Sequence, residues 1–178
     1  LNKLGLDKIE LLVAGGAPLP PDTMALWQIW GVNTMELYSQ TETGGGIITG
    51  QRGRFPRPGN VGDAPPGWEI RLSEDAANRG EILVRSADLF EGYWGQPEAT
   101  RETKGADGWL RTGDIGEWVV DGEAGSHHPG RSAATPPRRG GEKTSTPRQL
   151  RLVDRARDFI VTSGGKTLSP SFIENLLR

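Results

Sequence analysis

The run Tyr38-Ser39-Gln40-Thr41-Glu42-Thr43-Gly44-Gly45-Gly46 sets an aromatic ring, hydroxyls and a carboxylate where a β-leaning stretch gives way to glycine. In open α/β sheets ligands bind outside the carboxyl ends of strands, so polar groups should converge there. Thr41 could hydrogen-bond a phosphate oxygen. Glu42 could hold Mg²⁺, an ion that takes one or two carboxylates plus substrate phosphates. The alternative is that these are turn residues beside a solvated acid. Gly15-Gly16-Ala17-Pro18 ends a neighbouring strand, and without Cβ atoms Gly15 and Gly16 would let a flat ring lie against the backbone, although a simple strand-to-helix turn would read the same way. Asp114 closes the β-like stretch of Asp107-Gly108-Trp109-Leu110-Arg111-Thr112-Gly113-Asp114. A carboxylate there can accept both hydroxyls of a ribose, or cap a turn. Arg155 could reach a ribose or phosphate, or could belong to a solvated edge of alternating Arg and Asp. His127 and His128 are adjacent, in a stretch without apolar anchors, and are not read as a metal site.

The elements that must position these residues are legible as patterns. Ile9 to Ala14 is apolar and stopped by glycine, as a strand buried on both faces would be. Met24, Leu26, Trp27, Ile29 and Trp30 recur at helical spacing between prolines and Gly31, which predicts a core-packing helix. Thr34 to Tyr38 reads as a second strand, parallel to the first. From Thr43 to Gly67 glycine and proline dominate. Trp68 to Leu72, Glu81 to Arg85 and Trp109 to Trp118 then suggest a small barrel or sandwich, with a short helix over Pro97 to Thr103. The six tryptophans are scattered and read as core or barrel residues. Leu150 to Val153 and Phe159 to Thr162 look like a hairpin or ribbon, and Ser169-Pro170 starts an apolar-striped helix with Ser171 and Glu174 at capping-box spacing. The fold class expected is α/β.

Composition narrows the functions. Lys and Arg number 21 and Asp and Glu 23, a net charge of −2 that gives no electrostatic reason to expect a nucleic-acid or anionic-membrane partner. With 26 glycines and 13 prolines, turns are many and a helical bundle is disfavoured. There is no cysteine, which excludes disulfides, thiolate metal sites and a cysteine nucleophile. No signal peptide or spanning apolar run is present, so the expected location is cytoplasmic. The sequence starts at Leu1 and stops at Arg178 inside the apolar helix, so both ends read as cut.

Residues 123–149 contain no Val, Ile, Leu, Met, Phe, Tyr or Trp. They cannot bury enough apolar area to offset ordering entropy and are expected to be a disordered insertion.

Taken in order, Gly-Gly-Ala-Pro-Leu-Pro (15–20), Leu-Tyr-Ser-Gln-Thr-Glu-Thr (37–43), Gly-Glu-Ile-Leu-Val-Arg (80–85) with Gly-Tyr-Trp (92–94), Asp-Gly-Trp-Leu-Arg-Thr-Gly-Asp (107–114), and Asp-Arg-Ala-Arg-Asp (154–158) with Ser-Gly-Gly-Lys (163–166) resemble the adenylate-forming acyl-CoA synthetases. The ending Gly-Gly-Lys-Thr-Leu-Ser-Pro-Ser-Phe-Ile-Glu-Asn is most similar to the long-chain fatty-acid branch. The resemblance implies that ATP and a fatty acid give an acyl-adenylate and pyrophosphate, after which the thiol of coenzyme A displaces AMP. It implies Gly15, Gly16, Ala17 and Pro18 as an adenine wall, Tyr38 against the adenine, Thr41 at the phosphate and Glu42 on Mg²⁺. Asp114 would meet the ribose hydroxyls, Arg155 the ribose or phosphate, and Arg157 would be the hinge of a rotating small domain.

The implied division is residues 1–50 as the end of the large nucleotide-binding subdomain, 51–122 as a β-rich, barrel-like subdomain and 123–149 as the insertion. Residues 150–157 would be the end of the large domain with the hinge, and 158–178 the start of the small C-terminal domain. No membrane span is implied, though a longer parent could touch a membrane peripherally. Three features depart from the family pattern. Ser39 stands where the family has Gly, the upstream phosphate loop and the late Lys are missing from this chain, and residues 123–149 replace a short turn, as an inserted or frame-shifted stretch would. Other readings are an adenylating ligase for aryl or medium-chain acids, or a non-catalytic nucleotide-binding remnant.

The insertion reading has a direct test. Limited proteolysis should cut first near Arg131, Arg138 or Arg139, and its deletion should cost little, because closure entropy grows only with the logarithm of loop length. Strong amide-exchange protection across 123–149 would contradict it.

Overall fold

An apolar run closed by two glycines forms strand β1 (Leu11–Ala14) in the computed structural model, which describes residues 1–46, 49–51, 55–73, 78–120, 148–155, 160–161 and 167–168. Helix α1 (Pro21–Ile29) begins with proline in its first turn, where a missing N–H costs nothing, and with Asp22 facing the positive end of the helix dipole. Gly31, at φ 85°, ends it: Gly31 N–H donates to the Gln28 carbonyl at 2.9 Å and Val32 N–H to that of Trp27 at 3.0 Å. Strand β2 (Asn33–Tyr38) then pairs parallel with β1, from Leu11 opposite Asn33 to Ala14 opposite Glu36. The predicted strand, helix, parallel strand unit is present. On its far side β2 pairs antiparallel with β3 (Thr49–Gly50), a two-residue strand within the glycine-rich stretch that sequence patterning misses.

A second sheet, ordered β4-β5-β6-β7 and antiparallel throughout, comprises Glu69–Leu72, Arg79–Arg85, Leu110–Val120 and Arg148–Arg155. Helix α2 (Pro97–Thr103) lies between β5 and β6 in the chain. Ile82, Val84, Leu110 and Leu150 from this sheet, with Val61 and Tyr38, make the buried core, and Trp68 and Trp118 pack against it. Backbone bridges tie the two sheets together. Gly50 pairs with Asp63, Gly62 pairs with Leu150, and Val61 N–H donates to the Leu150 carbonyl at 2.8 Å.

Several expectations need correction. The four-stranded sheet is not a closed barrel among the described residues, because the outer edge of β7 takes Val61 and Gly62 rather than the short β4. Strand β1 is not buried on both faces, since Leu11 and Val13 stay about half exposed. Of the apolar positions on and just after α1, Met24 is buried while Leu26, Ile29 and Trp30 are exposed. Trp94, taken for a core residue, is 99% exposed on the loop before α2. The expected hairpin between Leu150 to Val153 and Phe159 to Thr162 is not seen among the described residues. Strand β7 pairs with β6, and β8 (Ile160–Val161) pairs with β9 (Thr167–Leu168). Arg148 and Gln149, assigned to the insertion, are the first residues of β7 opposite Val120 and Val119, because a ladder needs backbone groups rather than apolar side chains. The rest of the insertion, Arg157 and the C-terminal helix lie outside the described residues.

Gly62 has φ 101°, and a Cβ there would stand 2.4 Å from the Gly50 carbonyl carbon and 2.6 Å from the Gln51 nitrogen. Gly62→Ala is therefore expected to lose at least about 2 kcal/mol of stability in urea denaturation, from backbone strain plus overpacking. Gly67→Ala, at φ 85° with nothing within 4 Å, should lose only about 1 kcal/mol. Equal losses would show that the close crossing is not what demands glycine at 62.

Candidate functional site

At the carboxyl end of β2 the chain turns through a one-turn 3-10 helix, Thr41–Thr43. Thr43 is fully buried and locks this turn from within. Its hydroxyl donates to the Gln40 carbonyl at 2.6 Å and accepts the Gln40 N–H at 3.2 Å. Glu42, in the middle of the turn, is left facing a cavity of about 1380 Å³.

Strand β6 delivers Asp114 to the same cavity from its middle, not from the end of a strand as the sequence suggested. The ladder is irregular there: the β5–β6 register shifts between Glu81 and Leu83, the β6–β7 register shifts between Ile115 and Gly116, and Gly113 has φ 71°. The kink is tied down by Thr112, whose hydroxyl donates to the Ile82 carbonyl at 2.8 Å, and by Glu81, which accepts the Gly113 N–H at 3.1 Å. These local bonds aim the Asp114 carboxylate toward β2. Its Oδ2 accepts the Tyr38 hydroxyl at 2.7 Å and Gln40 Nε2 at 2.7 Å, while Arg155 of β7 brings Nε to 3.5 Å from Oδ1. Asp114 is 13% exposed and Arg155 72%, so the ion pair itself is worth little and the two short hydrogen bonds hold the carboxylate.

Thr41, Glu42, Asp114, Arg155 and Gly16 thus line one cavity. Beside it, a smaller space of about 290 Å³ is lined by Gly16, Ala17, Pro18, Tyr38, Asp114 and Arg155. Gly15 lines neither, and packs so that a Cβ would stand 3.4 Å from the Leu37 carbonyl oxygen. Residues 76 positions apart are brought into hydrogen-bond contact.

Sequence reasoning misses three members of the site. Gln40 also donates to the Thr112 carbonyl at 2.9 Å, so it clasps β6 through both backbone and carboxylate. Tyr93, on the loop before α2, donates its hydroxyl to Glu42 Oε1 at 2.7 Å. Glu36, on β2, lines the smaller cavity and accepts the Leu19 N–H at 2.8 Å, which ties the β1–α1 loop to the sheet. Gln40 lies within the Leu-Tyr-Ser-Gln-Thr-Glu-Thr motif and Tyr93 within Gly-Tyr-Trp, whereas Glu36 belongs to neither.

Burial raises the Glu36 carboxyl above its ordinary range, and the Leu19 N–H offsets part of that rise. Burial first, and the adjacent Asp114 charge second, push the Tyr38 phenol far above its usual value. Tyr38 therefore stays a protonated donor to Asp114.

The family model described as AMP-binding enzyme matches residues 2–94. Long-chain-fatty-acid–CoA ligase FadD15 of Mycobacterium tuberculosis is 32% identical over 166 residues, 93% of this chain and 22% of that protein. Feruloyl-CoA synthase of an Amycolatopsis species is 29% identical over 179 residues, 97% of this chain and 31% of that protein. Among solved structures, O-succinylbenzoate coenzyme A synthetase from Bacillus subtilis, in complex with ATP and magnesium ion, superposes with a TM-score of 0.69 at 25% identity, over 96% of this chain and 31% of that one. The chain spans about a quarter of the length of the curated relatives it matches.

Glu36 sets a pH dependence whose sign is fixed by its raised pKa. Below its unfolded value, near 4.5, the carboxyl is neutral in both states and the fold bears no ionisation cost. As pH rises through the higher folded value, the buried charge must be accommodated and stability is lost. Glu36→Gln keeps an oxygen for the Leu19 N–H without that charge. Its melting temperature relative to the unsubstituted chain should therefore climb between about pH 4.5 and neutrality. A difference that does not change with pH would contradict this.

Proposed function

The chain belongs to the AMP-binding enzyme family, and on that premise we propose that it is the nucleotide-holding part of an AMP-forming long-chain fatty-acid CoA ligase. In this reading ATP and a fatty acid give an acyl-adenylate and pyrophosphate, and the thiol of coenzyme A then displaces AMP. The observation that carries it is the convergence of Thr41, Glu42, Asp114 and Arg155 on one cavity. Asp114 has its Oδ2 held by Tyr38 and Gln40, and it presents the remaining acceptor capacity to ribose hydroxyls. Thr41 offers a hydroxyl at the phosphates, and exposed Arg155 can swing to ribose or phosphate. Gly16, Ala17, Pro18 and Tyr38 wall the smaller space, which suits a flat base, with Gly15 lying behind them.

The charges favour a metal ion on the nucleotide. The cavity is lined by Glu42, Glu81, Glu102 and Asp114 against Arg111 and Arg155. Arg111 is paired with Glu81 at 3.2 Å and Arg155 with Asp114 at 3.5 Å, so among the described residues no cation answers Glu42. Phosphates entering beside Glu42 need a positive charge between, and a single carboxylate is the donor set of a phosphate-borne Mg²⁺. When bound, Mg²⁺ would offset charge developing on the α-phosphate. Glu42 would hold it.

Fatty acid as the acyl substrate is supported by the FadD15 match and by the ending at 164–175, whereas the feruloyl-CoA synthase match supports an aromatic acid. The ending favours the former. Arg157 is proposed as the hinge.

In a protein carrying this segment together with the phosphate loop, Glu42→Ala is expected to lower fatty-acid-dependent pyrophosphate release by on the order of 10² to 10³, the usual effect of removing one electrostatic group. Fatty-acid binding should change little. Unchanged turnover would contradict the role of Glu42. The 178-residue chain alone, given ATP, Mg²⁺, palmitate and coenzyme A, should form no AMP above a heat-treated control. Positioning of reactants can supply roughly 7 to 11 kcal/mol, and the groups that would complete it are outside this chain.

A further inference from the structure

We infer that Tyr93 is a positioning residue for Glu42, fixing the carboxylate so that its second oxygen is the one offered to the cation that accompanies the nucleotide. This rests on the reading of Glu42 proposed above. The Tyr93 hydroxyl donates to Oε1 of Glu42 at 2.7 Å, and no described donor bonds Oε2. Both side chains line the large cavity.

The contact is held from several directions. Phe90 N–H donates to the Glu42 carbonyl at 2.9 Å, so the loop before α2 grips the backbone as well as the side chain of the same residue. On the other flank a Cβ at Gly44 would stand 2.7 Å from the Asp88 carbonyl oxygen, so the turn and the loop touch backbone to backbone. Tyr93 itself is oriented by Thr100 of α2, whose Oγ1 accepts the Tyr93 N–H at 2.9 Å and donates to the Gln96 carbonyl at 2.9 Å. Gly92 lets this happen, since a Cβ there would lie 2.7 Å from the Thr100 methyl. The Tyr93 ring packs edge-on against Phe90 with centroids 4.9 Å apart. A free carboxylate would rotate and present either oxygen, or both in a bidentate mode. A phenol bonded to one of them removes that freedom before any ligand arrives, and a charge-assisted hydrogen bond is strong enough to do so.

The test compares the affinity of the chain for ATP with excess Mg²⁺ and for ATP in EDTA, by isothermal titration of the unsubstituted chain, Tyr93→Phe, Glu42→Gln and the double variant. Tyr93→Phe keeps the ring against Phe90, and its loss of affinity should be clearly larger for the magnesium form of ATP than for the metal-free form. The preference for the magnesium form, about fivefold or more in the unsubstituted chain, should fall to about that of Glu42→Gln, with no further loss in the double variant. If Tyr93→Phe weakens both forms of ATP equally, its role is structural and the inference is overturned. An unchanged metal preference in Tyr93→Phe overturns it too. Absence of any metal preference in the unsubstituted chain would instead sink the proposed role of Glu42, and with it this inference.

Discussion

A mostly buried carboxylate must be met by donors, and at Asp114 the donors come from two other strands. Tyr38 and Gln40 reach it from the end of β2, Arg155 reaches it from β7, and its own backbone belongs to β6. The parallel unit and the antiparallel sheet are therefore referenced to each other at the wall of the large cavity. If this carboxylate were lost, the Tyr38 hydroxyl would be left buried without its acceptor, and Gln40 would keep only the Thr112 carbonyl. The turn that follows Gln40 carries Thr41 and Glu42, so its placement depends on the same bonds.

Much of the framework was legible because it is local. Proline in the first turn and Gly31 at the end of α1 are signals spanning a few residues, and the apolar runs of β5 and β6 declare their period directly. What was not legible is long-range or irregular. Strand β3 is two residues in a glycine-rich stretch, and its existence depends on β2 having an open edge there. The position of Asp114 within its strand depends on register shifts against both neighbours, which leave no trace in the residue pattern. Tyr93 and Glu42 are 51 positions apart, and no spacing rule could pair them.

The apolar surface of the first sheet makes the same point from the other side. Leu26, Ile29 and Trp30 recur at helical spacing and were expected to pack in a core, yet they are exposed, as are Leu11 and Val13 on β1. Periodicity reports that a face is apolar. It does not report which partner covers it, and these residues stay roughly half or more exposed, Trp30 meeting the ring of its own neighbour Trp27 edge-on. The second sheet differs because its inward residues, Ile82, Val84, Leu110 and Leu150, meet one another, and Val61 with Tyr38 completes the cluster.

Preorganisation explains why so many bonds serve so few side chains. Electrostatic stabilisation of a charged transition state is effective when the protein's dipoles need not reorganise as charge develops. Glu42 sits on a turn locked inside by Thr43 and outside by Phe90, and Asp114 sits on a kink locked by Thr112 and Glu81. The two acids thus line one cavity, each held by local bonds of its own, and Gln40 links them, since it caps the Glu42 turn and donates to Asp114. Arg155 differs from both acids: it is 72% exposed and only weakly paired with Asp114, so its side chain is held far less tightly than theirs.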